Sequence, residues 1–156
     1  MSEREFEIEH GHDAYSAAEL LEQAQVNAQA LILATIAYLG EEGISANDWA
    51  ESIGVCFARG WGEPRAWDAS EFLDAMLTNY RSLGAEVVSV DLGVDRAEAV
   101  IAGYPNPELA ALFHVTPAQA GMFHRVAAGI ARRRGLTWTY RLEGDATRLL
   151  VERAGT

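Results

Sequence analysis

Basic side chains are scarce in this 156-residue sequence: 12 against 23 acidic ones, a formal net charge of -11. The averaged field of such a chain repels phosphate backbones and anionic lipid surfaces, so nucleic acid is not an expected partner. Cysteine is nearly missing. Cys56 alone can form neither an internal disulfide nor a thiolate zinc cage, which fits a reducing cytoplasm. Long apolar runs are absent too: the most apolar stretch, residues 28–39, carries Gln29 and Thr35 and falls short of the roughly 20 residues that cross a bilayer. It reads as a core helix. Residues 1–9 are rich in Glu and lack the basic-then-apolar layout of a secretory signal. Residues 1–15 are therefore expected to form a flexible acidic tail, and residues 16–156 a single α+β domain.

What is present is ordinary globular material, 49% hydrophobic and 22% charged, enough to bury a core without staples. Helix signals come first. Ser16 with Glu19 forms a capping box that opens a helix ending near Gly40, with Leu20, Ala24, Leu31, Thr35 and Tyr38 on one side. Leu21, Ala28, Ile32 and Leu39 widen that side, which predicts a central helix with several neighbours. Ser45 with Asp48 opens a second helix to Gly60, with Trp49, Ile53, Cys56 and Phe57 at helical spacing and Cys56 as a small buried hydrophobe. A third, capped by Asp68 or Ser70 and stopped by Gly84, has Phe72, Leu73, Met76, Leu77, Tyr80 and Leu83 as its buried stripe.

After Gly84 the period changes to two. Val88, Val90 and Leu92 alternate, the turn Gly93-Val94-Asp95 follows, and Ala97, Ala99 and Ile101 alternate in return. A short helical turn over residues 108–113 precedes Thr116-Pro117-Ala118-Gln119, which joins an N-cap, a proline at the first helical position and a Gln three residues after the cap. One continuous helix is expected from there to about Arg134, with Arg132-Arg133-Arg134 offsetting the negative end of its dipole. Its small residues Ala120, Gly121, Ala127, Ala128 and Gly129 would admit another backbone. A last hairpin alternates Leu136, Trp138, Tyr140 and Leu142, turns at Glu143-Gly144-Asp145, and returns through Thr147, Leu149 and Val151. The expected architecture is α+β: N-terminal helices, then β-β-α-β-β, with a four-stranded antiparallel sheet and helices packed on one face.

Three segments carry a family resemblance: Gly84-Ala85-Glu86-Val87-Val88-Ser89-Val90-Asp91, Phe123-His124-Arg125-Val126-Ala127-Ala128-Gly129, and Glu143-Gly144-Asp145 before the final strand. Over about the C-terminal half, the chain resembles the 4-vinyl-reductase (V4R) domain, a family related to the Bet3-type subunits of the TRAPP tethering complex. The resemblance implies a domain that holds a small hydrophobic molecule between helices and sheet, to sense it or hand it on. V4R domains often carry cysteines around the last hairpin; residues 140–151 have none, so thiol or metal chemistry linked to them is not carried over.

Residues with chemical potential are few, and no nucleophile triad, metal cluster or phosphate loop stands out. His124, flanked by small Ala120 and Ala128, is the candidate acid or base and could ligate a haem iron, against the plainer reading of a hydrogen-bonded structural histidine. His114 sits in a loop-like position. His10-Gly11-His12-Asp13 resembles a metal string but lacks a partner cluster, and no metal site is expected. Trp61 lies between two glycines and suits a pocket mouth; Trp138 belongs to the aromatic set; Asn79, Tyr80 and Arg141 could supply polar groups. The expected ligand site thus comprises Trp61, Asn79, Tyr80, His124, Trp138 and Arg141, with cofactor unknown. Three functions compete: an apolar-ligand module, sensory or carrier; a small-substrate hydrolase or lyase using His124; and a homodimeric scaffold without ligand, paired through the small-residue helix at Gly129.

Overall fold

A computed structural model describes residues 15–63 and 65–155; the Glu-rich start and the His10-Gly11-His12-Asp13 string lie outside them. Among the described residues the order is α1 (Ala17–Glu41), α2 (Ala46–Gly60), α3 (Ala69–Ser82), β1 (Glu86–Leu92), β2 (Arg96–Ala102), α4 (Pro107–Leu112), α5 (Pro117–Gly121), a 3₁₀ turn (Met122–Arg125), α6 (Val126–Arg132), β3 (Leu136–Glu143) and β4 (Ala146–Arg153). No helix is long and apolar enough to cross a membrane among the described residues. The expected caps form. Ser16 with Glu19, Asp68 with Glu71 and Thr116 with Gln119 each close a capping box, satisfying amides that the first helical turn leaves open.

The four strands make one antiparallel sheet in the order β1-β2-β4-β3. Ala97, Ala99 and Ile101 of β2 and Leu149 and Val151 of β4 turn inward against Phe72, Leu73 and Leu77 of α3 and Ile130 of α6. The opposite face has the polar character of an uncovered antiparallel sheet. Arg148 bridges Glu98 and Glu143 there, with Arg96 and Arg141 beside the same carboxylates. These contacts hold Glu98 and Glu143 below the usual carboxylate range, the hydrogen bonds from the arginines being the cause.

Four expectations are corrected. The helix after Thr116 is not continuous: it breaks into α5, a tighter 3₁₀ turn that carries the buried His124, and α6, the break falling at Gly121 where the Leu142 and Tyr140 side chains press close. Helix α1 is not central. It buries Gln29, Leu33, Ile36 and Leu39, the aliphatic ones Leu33 and Ile36 against Ala110, Val115 and Ala120, and leaves Leu20, Leu21, Leu31 and Tyr38 exposed. Helix α2 buries its small residues Ala50, Gly54 and Ala58, so Cys56 and Phe57 face outward and Cys56 is exposed. On β1 a bulge between Val87 and Ser89 interrupts the expected alternation at Val88, and Val88, Val90 and Leu92 are all exposed on this edge strand.

The small-residue stretch does admit another backbone, from within the chain. A Cβ on Gly54 would lie 2.4 Å from the Val126 carbonyl oxygen, and one on Gly129 would lie 3.2 Å from the Gly54 carbonyl carbon. Gly129 is thereby spent on α2, and that face is closed to the two-fold interface expected of it.

Candidate functional site

The α2–α6 crossing fixes one side of a cleft of about 580 Å³. Its walls come from Leu31 and Thr35 of α1, Trp49, Ile53 and Phe57 of α2, Met76 and Asn79 of α3, and Phe123 and Ile130 beyond, with Trp61 at one end. The large side chains that α2 turns away from its buried seam are the ones that line it. No strand residue contributes, so the cleft lies between helices and not between helices and sheet as expected. No charged side chain lines it among the described residues. A second apolar cavity at Pro105, Val115 and Leu142 holds only about 160 Å³.

Of the six residues expected to form one site, Trp61, Asn79 and Tyr80 line the cleft. Trp61 is held there by a residue that sequence reasoning assigned to dipole compensation. Arg134 is buried, donates to the carbonyls of Trp61 and of Glu63 (2.8 Å for the latter), and stacks over the Trp67 ring at 4.9 Å. The Asn79 carboxamide has no hydrogen-bond partner among the described residues.

His124 and Trp138 stand one layer deeper. His124 is fully buried, its Nδ1 2.6 Å from the Tyr80 hydroxyl, and the Trp138 indole donates to its backbone carbonyl at 2.9 Å. The Tyr80 hydroxyl meets no other acceptor among the described residues, so it donates to Nδ1, and the ring proton sits on Nε2. Nε2 has no hydrogen-bond partner; the rings of Tyr104 and Tyr140 stand with centroids 5.4 and 4.9 Å from the imidazole. Burial pushes the imidazole down to about 3 and the Tyr80 phenol well above its ordinary value. Both groups are neutral at physiological pH, and their bond fixes the inner end of the Tyr80 ring.

Arg141 is elsewhere. It lies on the uncovered face of the sheet, pairing with Glu143 at 2.5 Å, because the alternation of β3 turns it away from Trp138 and Tyr140. His114 is exposed after α4 with φ of 56°. No cluster of three or more His, Cys, Asp or Glu suited to a metal ion occurs among the described residues.

Sequence reasoning missed Gln29, the buried polar residue of α1. Its amide donates to the carbonyls of Leu83 (2.8 Å) and Gly103 (2.7 Å), and its oxygen accepts from the Asn106 amide at 3.0 Å, pinning α1 beside the cleft. The signal was available: a glutamine inside the most apolar stretch of the chain. A comparison with protein-family models finds none that matches, and no curated protein matches the chain either.

Proposed function

We propose that this chain binds a small, uncharged, largely apolar molecule in the cleft between α1, α2, α3 and α6. The observation that supports it is the pairing of size and lining: about 580 Å³ walled by aliphatic and aromatic side chains with no charged one among the described residues. Clefts of some 300–1,000 Å³ with an apolar lining and a few polar groups are the usual form of small-molecule sites. A bare carboxylate or ammonium on the ligand would lose its hydration with no counter-charge to meet. Asn79 supplies one polar contact, and Trp61 and Phe57 offer aromatic faces for a flat ligand. The V4R-like layout stands beside this reading as a resemblance that implies the same class of ligand.

The hydrolase or lyase reading draws less support. His124 is sealed behind Tyr80 and is a neutral imidazole at physiological pH, so an acid or base there would need the core to open. The test is equilibrium titration with the neutral fluorophore N-phenyl-1-naphthylamine. Wild type is expected to bind saturably, and Ile53→Trp, which fills the cleft from the surface of α2, to weaken binding at least about tenfold while keeping its melting temperature. Binding unchanged by Ile53→Trp, or absent from wild type, would overturn the proposal.

A further inference from the structure

Among the described residues the buried polar or charged side chains are Gln29, His124, Arg134 and Thr147. Three of them are hydrogen bonded: Gln29 to Leu83, Gly103 and Asn106, His124 to Tyr80, and Arg134 to Trp61 and Glu63. Thr147 is 1% exposed, and its hydroxyl meets no hydrogen-bond partner among the described residues. Buried hydroxyls are rarely left so, because the lost hydration is not replaced. Its place in the fold accounts for it. Thr147 opens the inward-facing row Thr147, Leu149 and Val151 of β4, between Ile101 of β2 and Leu142 of β3, and lines the cavity of about 160 Å³ between α4, α5 and this end of the sheet.

That cavity is apolar apart from two side chains, Thr147 on its buried side and Asp145 on its exposed side. The Asp145 carboxylate makes no hydrogen bond or ion pair among the described residues. The two residues are two apart at the start of β4, where the rise of the chain sets their Cα atoms roughly 7 Å apart on one side of the strand. A cationic donor seated between them reaches both, since a hydroxyl and a carboxylate each accept. An anion is disfavoured. The helices that begin beside the cavity open on Pro107 and Pro117, which have no amide to offer, and Asn106 and Thr116 already occupy the amides of Leu109 and Gln119. The net charge of -11 likewise concentrates cations around the chain. Size bounds the rest of the ligand: a cavity of about 150 Å³ holds a molecule such as benzene.

We propose that this cavity is a second binding site, selective for a small primary amine whose apolar body of about six carbons lies against Val115, Leu142 and Pro105 while its ammonium donates to Asp145 and Thr147. It shares no residue with the larger cleft, so either site can fail without the other.

The test is NMR titration of the full chain with cyclohexylamine, and with cyclohexanol and cyclohexanecarboxylate as neutral and anionic counterparts of the same shape. Cyclohexylamine is expected to saturate in about the millimolar range, shifting the methyls of Val115, Leu142 and Thr147; cyclohexanol binds at least about tenfold more weakly and the carboxylate not at all. Asp145→Asn, in an exposed turn, is expected to weaken the amine at least about tenfold, and Thr147→Val, nearly the same shape, at least about threefold, with circular dichroism confirming both folds. No saturation below about 20 mM, equal affinity for cyclohexanol, or an affinity unmoved by either substitution would each overturn the proposal.

Discussion

Replacing Gly54 by alanine puts the packing of the cleft to its most quantitative test. Alanine is the better helix former by about 1 kcal/mol, so local propensity alone calls for a more stable protein. The crossing with α6 calls for the reverse. The added methyl would lie 2.4 Å from the Val126 carbonyl oxygen and 3.2 Å from its carbon, both backbone atoms that no rotamer change can remove. Relieving the overlap requires α2 and α6 to part by roughly 1 Å, and overpacking of this kind costs about 1–3 kcal/mol, at times more. The net expectation is a loss of up to about 2 kcal/mol, or a melting temperature lowered by up to roughly 8 °C for a chain of this length. Gly40→Ala is the internal control: it lies within α1 with nothing within 4 Å of its Cβ position and should gain up to about 1 kcal/mol. Melting followed by circular dichroism at 222 nm, a wavelength where helix dominates, by rough convention, resolves both signs. A Gly54→Ala protein as stable as Gly40→Ala would refute the close crossing, and with it the geometry of the cleft wall.

Two further outcomes follow from buried polar groups. Arg134→Met removes the donor to the Trp61 and Glu63 carbonyls; it should cost about 2–4 kcal/mol in urea unfolding and shift tryptophan emission as Trp61 loosens, whereas unchanged stability would contradict the anchoring role. His124 has a native value pushed down to about 3, below the unfolded value of about 6.5, so the unfolded chain takes up the proton first. Its contribution is complete above pH 6.5 and falls with pH toward 3, at up to about 1.4 kcal/mol per pH unit. Between pH 7 and 5, above the carboxylate range, wild type should lose about 2 kcal/mol relative to His124→Phe; parallel pH profiles of the two proteins would contradict the burial of a neutral imidazole.

Most elements were legible because their signals are local. Ser16, Asp68 and Thr116 announce helix starts by side-chain chemistry that needs no tertiary partner, and the period-two alternation of Leu136, Trp138 and Tyr140 is set by the pleat. The failures share a cause. Apolar side chains were assigned inward by size, yet α2 buries Ala50, Gly54 and Ala58 and presents Trp49, Ile53 and Phe57 to a cleft, because close helix crossing selects small residues. The helix after Thr116 breaks at Gly121, where the Leu142 and Tyr140 side chains of β3 press close, a contact that its cap and period cannot foretell.

The candidate site was half legible for a related reason. Trp61 and Tyr80 stood out by residue type and sequence surroundings, and Asn79 by adjacency to Tyr80. Arg141 was misplaced because a polar position on a strand faces away from the helices as a matter of pleat. Arg134 and Gln29 were overlooked because their value lies in carbonyls contributed by distant segments: Trp61 and Glu63 for one, Leu83 and Gly103 for the other.

The central claim, an apolar ligand held between helices, is tested most directly by methyl-resolved NMR of the wild-type chain titrated with naphthalene-sized neutral probes. Saturable shifts confined to Leu31, Ile53, Met76 and Ile130, with those of Leu142 and Val115 at the smaller cavity unmoved, are the predicted result. Shifts scattered over the exposed valines of β1, or absent from Ile53 and Ile130, would contradict it.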